Sequence, residues 1–228
     1  MSLTFPRAMP LVGVGLQIFE PTQVGYETAT AGGDTFGVVA GYPRWRAQWT
    51  LASTLTDVQS DQWRAFLASL KNGARSFFGY DVQRPFPRLY AKGFAGLVRA
   101  GGGAFDGSLT SWSQSIAADG QALVTLGGLP AGFLLSVGDY ADLRWTTSGI
   151  QRRALVRSLE DAVADGSGII AGVSVEPPIP AFVPGTAVAH LDNPSCVMRL
   201  DSSQTQVTEM DRRGRAGARI AALQDHHK

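Results

Sequence analysis

Between Trp45 and Leu51 apolar and polar positions alternate. Trp45, Ala47 and Trp49 are separated by Arg46 and Gln48, the period of two that turns one face of a strand to a core and the other to water. That strand should end near Leu51. The period then lengthens: Trp63, Phe66, Leu67 and Leu70 fall at i, i+3, i+4 and i+7, which predicts a helix over residues 57–71. Thr56 with Gln59 three positions on has the form of a capping box at its start, and Gly73 supplies its stop. At this spacing Trp63 reads as a core residue rather than a stacking platform.

The same reading extends along the chain. Val24–Thr28 and Thr35–Val39 flank Ala31-Gly32-Gly33-Asp34, which predicts a β-hairpin with a mobile tip. Ser76–Tyr80 is a compact apolar strand, and Arg84-Pro85-Phe86-Pro87-Arg88 must be extended because each proline disfavours helix in the residue before it. A boundary falls near Lys92. From 94 to 174 small residues dominate, with Gly101-Gly102-Gly103 near the start and Asp165-Gly166-Ser167-Gly168 near the end. Strand-sized runs at Ala122–Leu126, Phe133–Val137, Tyr140–Trp145 and Arg153–Arg157 are separated by turn signals, the spacing of a small barrel or sandwich. Pro177, Pro178 and Pro180 place the exit from this module at an edge or a crossing. Ala187–Leu191 and Cys196–Leu200 are two further strands expected to rejoin the first sheet.

The expected fold is therefore mainly β, in two domains. Residues 1–93 with 175–207 form a β domain carrying the one α-helix, and 94–174 form an inserted accessory β domain. Residues 208–228, with Arg212, Arg213, Arg215 and Arg219 beside alanines, read as a charged tail or a short exposed helix. Composition agrees with many short strands joined by turns: of 228 residues 27 are Gly and 12 Pro, and only 17% are charged. The formal net charge of +1 lacks the basic excess of a dedicated nucleic-acid binder, without excluding a local patch. The N-terminus has no signal-peptide run and no stretch of 18 apolar residues occurs, so manufacture in the cytoplasm without membrane insertion is expected. The single cysteine, Cys196, forms no internal disulfide.

Candidate chemistry is sparse. His190, Asp192, Ser195 and Cys196 lie close in sequence, but neighbours on an extended strand point to opposite faces, and Asp192-Asn193-Pro194-Ser195 looks like a turn. A buried structural Cys196 is the better reading. His226 and His227 form an adjacent pair, short of the ligands a strong metal site needs. Gly13-Val14-Gly15 and Gly101-Gly102-Gly103 lack the third spaced glycine or the Gly-Lys-Ser/Thr of a phosphate loop and read as turns. Asp57 and Asp61 complement a helix N-terminus more readily than they form an acid and base pair. Trp112, within a polar run from Ser108 to Ser115, and Trp145 are the candidate sugar-stacking residues. No catalytic, cofactor or metal residue is assigned.

Taken together, the Trp45–Leu51 strand, the helix with Asp61-Gln62-Trp63-Arg64-Ala65-Phe66-Leu67, the Phe77-Phe78-Gly79-Tyr80-Asp81 strand and the Pro85-x-Pro87 segment resemble the minor tail proteins of long-tailed bacteriophages, above all the distal tail protein. Leu135–Tyr140, Val175–Ile179 and Asn193–Leu200 look like further pieces of that group, so the resemblance spans about 40–200. It implies a hexameric ring between the tail tube and the tail-tip hub or baseplate, built from a β-sandwich related to the tube subunit with an accessory β domain outside it. The implied partners are further copies of the chain, the tail tube protein and the tail hub protein, with the tape-measure protein and DNA passing through the lumen. The implied location is the virion tail. A β-rich chain of few charges suits a subunit whose edges are satisfied by its neighbours. The alternative is a carbohydrate-binding or host-adhesion module of the tail tip, using Trp112 and Trp145.

Overall fold

The computed structural model describes residues 5–10, 13–29, 35–52, 54–210 and 216–226. The chain is mainly β. The first elements are β1 (Arg7–Ala8), β2 (Val14–Ala29), β3 (Thr35–Leu51), α1 (Asp57–Ser69) and β4 (Ser76–Tyr80), followed by a 3-10 turn at Arg88–Tyr90. Next come β5 (Ser111–Ile116), β6 (Ala122–Gly127), β7 (Leu134–Leu135), β8 (Tyr140–Thr147), β9 (Ile150–Ser158), β10 (Ala162–Val163), β11 (Ile169–Glu176) and β12 (Val188–His190). The chain closes with β13 (Ser195–Leu200), β14 (Gln206–Met210) and β15 (Ala216–Gln224).

Two main sheets form. The first runs β1-β4-β13-β15-β3-β2, with β14 added to β15, and the second runs β12-β8-β9-β11-β6-β5. All strands of the second lie in sequence between β4 and β13, which are hydrogen-bonded neighbours in the first. A small β7–β10 pair stands apart. The two edges of the second sheet approach each other where Leu109 N–H donates to the Ala189 carbonyl at 2.8 Å.

The alternation read from sequence sets the first core. Trp45, Ala47 and Trp49 are fully buried on one face of β3, while Arg46 points to solvent. The α1 helix begins at the expected capping box, with the Thr56 hydroxyl accepting from Gln59 N–H and the Gln59 side chain accepting from Thr56 N–H. It brings Trp63, Phe66 and Leu70 against the sheet, and Phe66 meets Phe77 edge-on at 5.4 Å. Each large side chain so removed from water contributes about 1.5–3 kcal/mol. The paired arms of the hairpin form as expected; its tip at Ala31–Asp34 lies outside the described residues.

Two expectations are corrected. The C-terminal segment is no tail or helix over its described part: β15 lies between β13 and β3, and β14 pairs with it. Ala218, Ile220 and Ala222 point into the core and alternate with Arg219, Ala221 and Leu223. This period-two pattern is faint in sequence because alanine carries little hydrophobic contrast and the arginines dominate the reading. The second correction concerns Ala187–Leu191. Its strand, β12, pairs with β8 in the second sheet, held also by Leu191 N–H to the Gly107 carbonyl at 2.8 Å. Only the Cys196 strand, within β13, returns to the first sheet.

Candidate functional site

The residues singled out in sequence converge at the junction of the sheets, around a carboxylate that the pattern did not reveal. Arg144 on β8 and Arg153 on β9 stand directly opposite each other. Two like charges so placed repel. Asp142, two residues before Arg144 and therefore on the same face of β8, lies between them with no exposed surface. Arg144 Nε donates to both its oxygens at 2.9 and 3.1 Å, and Arg153 Nη1 approaches at 3.4 Å. Ser195 N–H, from β13 of the other sheet, donates to the same carboxylate at 3.1 Å. The cluster thus ties the sheets together. Burial pushes the Asp142 carboxyl up to about 6, with the two arginines and the Ser195 N–H pulling against it.

His190, Asp192 and Ser195 belong to this cluster in supporting roles. His190 Nδ1 lies 2.9 Å from Asp192 Oδ1, so that nitrogen carries the proton. Asp192 also receives Arg144 at 3.4 Å; burial opposes its ionisation, but His190 and Arg144 outweigh it and hold the carboxyl below its ordinary range. Ser195 Oγ accepts from Arg153 Nη1 at 2.6 Å. Cys196, the next residue on the strand, faces the opposite side and is sealed in the first core, where burial drives its thiol pKa well up.

The other candidates take structural places. Trp63 is 1% exposed, as its spacing predicted. Trp112 on β5 is half-buried and donates its indole N–H to the Ala187 carbonyl at 2.7 Å, so its ring packs on the second core rather than standing free. Trp145 is also half-buried and tilts against Phe182. Gly13 has a φ of +88°, its carbonyl accepts from Ala52 N–H, and a Cβ there would overlap Leu55. Gly102 and Gly103 turn the chain tightly after Arg99. Asp57 opens α1, and Asp61 makes a surface pair with Arg64 at 3.8 Å. His226 packs between Tyr42 and Phe182, while His227 lies outside the described residues.

The second notable region is the β2 edge. Among the described residues, the side of β2 away from β3 has no strand against it. Leu16 and Ile18 on this strand are 71% and 54% exposed. β15 covers β3 only from Arg46 to Thr50, whereas β2 and β3 continue to pair with each other from Thr22↔Arg44 out to Ala29↔Thr35. At about 3.3 Å per residue, this two-stranded arm reaches roughly 25 Å past the body of the sheet. At its base lies a cleft of about 580 Å³ flanked by Ile18, Val137 and Leu159. Its floor is polar: Tyr140 donates to Asp81 at 3.1 Å, the Gln17 amide also donates to Asp81, and Arg157 pairs with Glu20 at 2.6 Å.

Neither a protein-family model nor a curated protein matches this chain.

Proposed function

We propose that this chain is a structural subunit of a long-tailed phage tail, a distal tail protein that forms a ring joining the tail tube to the tail-tip hub and keeps a channel open for DNA. The observation that carries the reading is the β2 edge: a sixteen-residue strand that, among the described residues, is paired on its β3 side alone, with exposed Leu16 and Ile18, and that runs on with β3 as a hairpin past the rest of its sheet. An edge of this kind invites a further strand, and cyclic closure by identical copies removes it from solvent. In this reading the first sheet with α1 is the tube-related sandwich of a hexameric ring. The second sheet, contributed by chain lying between paired strands β4 and β13, is the inserted accessory domain. The near-neutral charge suits a conduit that passes a polyanion without gripping it.

Mass photometry of the chain mixed with tail tube and hub proteins tests this. Six-fold species for the wild type, lost on Ile18→Lys, support a ring closed through this edge. A chain that stays monomeric in the presence of both proteins overturns it.

A further inference from the structure

The arm formed by β2 and β3 leaves the body of its sheet at an irregularity. The register runs from Thr22↔Arg44 to Val24↔Ala40, so one β2 residue, Gln23, stands against three of β3, Gly41, Tyr42 and Pro43. Extra residues of this kind bend the strand that carries them. Pro43 also has no N–H to give to the ladder. The bend is fastened from two directions. The Tyr42 hydroxyl donates to the Pro178 carbonyl in the loop after β11, and His226 Nε2, just past β15, donates to the Pro43 carbonyl at 3.3 Å. Rings close the joint: His226 meets Tyr42 edge-on at 5.3 Å and Phe182, from that same loop, at 5.9 Å, and Phe182 leans on Trp145 of β8. Three separate stretches of chain thus meet at the root of the arm.

His226 is the titratable ring of this joint. Because a carbonyl only accepts, Nε2 carries the proton of the neutral ring and Nδ1 is bare. A second proton would put a cation into a half-buried joint beside Arg44, with Arg152 and Arg153 lining the same small cavity and Asp225, itself held by Arg199, as the opposing charge. The loop 177–184 carries no charge, and Glu176 before it acts on Tyr42. Burial, and then Arg44, hold the imidazole pKa below its ordinary value. We propose that Tyr42, His226 and Phe182 form a latch that fixes the direction in which the arm leaves the body, and that protonation of His226 loosens it. What the arm then contacts rests on the ring reading; the latch itself does not. The released ring takes its proton more readily than the latched one, so the joint should weaken as pH falls through about 6.5. Asp142 titrates in the same interval with the opposite sign, since its raised carboxyl favours the fold at the lower pH.

Hydrogen exchange of the full chain, with each rate divided by the intrinsic rate at its pH, reads the latch without any assembly partner. At pH 7.5 Tyr42→Phe and His226→Ala should each lower protection about tenfold in peptides covering 41–46 and 178–186 together, while β4 and β13 keep theirs. Lowering the pH to 5 should do the same to the wild type. His226→Phe, which keeps a ring but takes no proton, should not respond to that change. Protection unaltered by Tyr42→Phe and His226→Ala overturns the latch, and a pH response that persists in His226→Phe overturns the switch. Should Tyr42→Phe and His226→Ala lower protection in β4 and β13 as well, these residues anchor the fold rather than the arm and the proposal falls. A chain that keeps the latch yet never assembles contradicts the ring alone, so the two failures are distinguishable.

Discussion

Asp142 is the residue on which the junction of the two sheets turns, because it offsets two facing arginines and accepts a backbone N–H from the opposite sheet. Its carboxyl is raised to about 6, above the ordinary carboxylate value, so between those values the folded chain keeps a proton that the unfolded chain has released. Stability should therefore fall as pH rises through this window, by about 1–3 kcal/mol for this group, and flatten above it. Urea unfolding of wild type and Asp142→Asn from pH 4 to 7.5 checks the sign: the wild-type decline should be steeper, and matching slopes would contradict the assignment. Asp142→Ala leaves Arg144 with Asp192 but removes the carboxylate that lies between the two arginines and pairs Arg153, and should cost about 3–5 kcal/mol. Sequence exposed the supporting residues, His190, Asp192 and Ser195, but not this one. A single aspartate inside the strand-like run Tyr140–Trp145 looks like the polar half of an alternation, and only cross-strand register shows what it faces.

At the scale of elements, α1 and β3 were legible because bulky residues at the right period leave few alternatives. Four large apolar side chains mark one helix face, and the cap residues mark its start. Thr56→Ala should accordingly cost about 1 kcal/mol, measured by chemical denaturation, and an unchanged midpoint would show that the cap contributes nothing. β15 was not legible, since Ala218, Ile220 and Ala222 give a weak contrast and its partners β3 and β13 are distant in sequence. Its central position makes a strong prediction: a chain ending before Ala216 leaves β3 and β13 with unpaired edges in the middle of a sheet and should lose cooperative unfolding. A truncated chain with wild-type circular dichroism and a sharp thermal transition would refute this. The assignment of β12 was missed for a related reason. A three-residue strand carries no register information of its own, and its hydrogen bonds to Gly107 and the β8 strand decide the sheet.

At the scale of the whole molecule, two sheets locked at the Asp142 cluster carry a long strand edge and a projecting arm, and it is through this edge that the proposed ring closes. Ile18→Lys places a charge on that edge without disturbing either core, so monomer stability should stay within about 0.5 kcal/mol while assembly fails. Comparing the variant's unfolding midpoint with its assembly state separates the two effects; loss of both together would mean that Ile18 serves the fold. The most direct test of the proposed ring is electron cryomicroscopy of the assembly that the chain forms with tail tube and hub proteins. A ring of six copies at the junction of tube and hub, with β2 of each paired to its neighbour, is the expected result; absence of the chain from that junction contradicts the proposed ring.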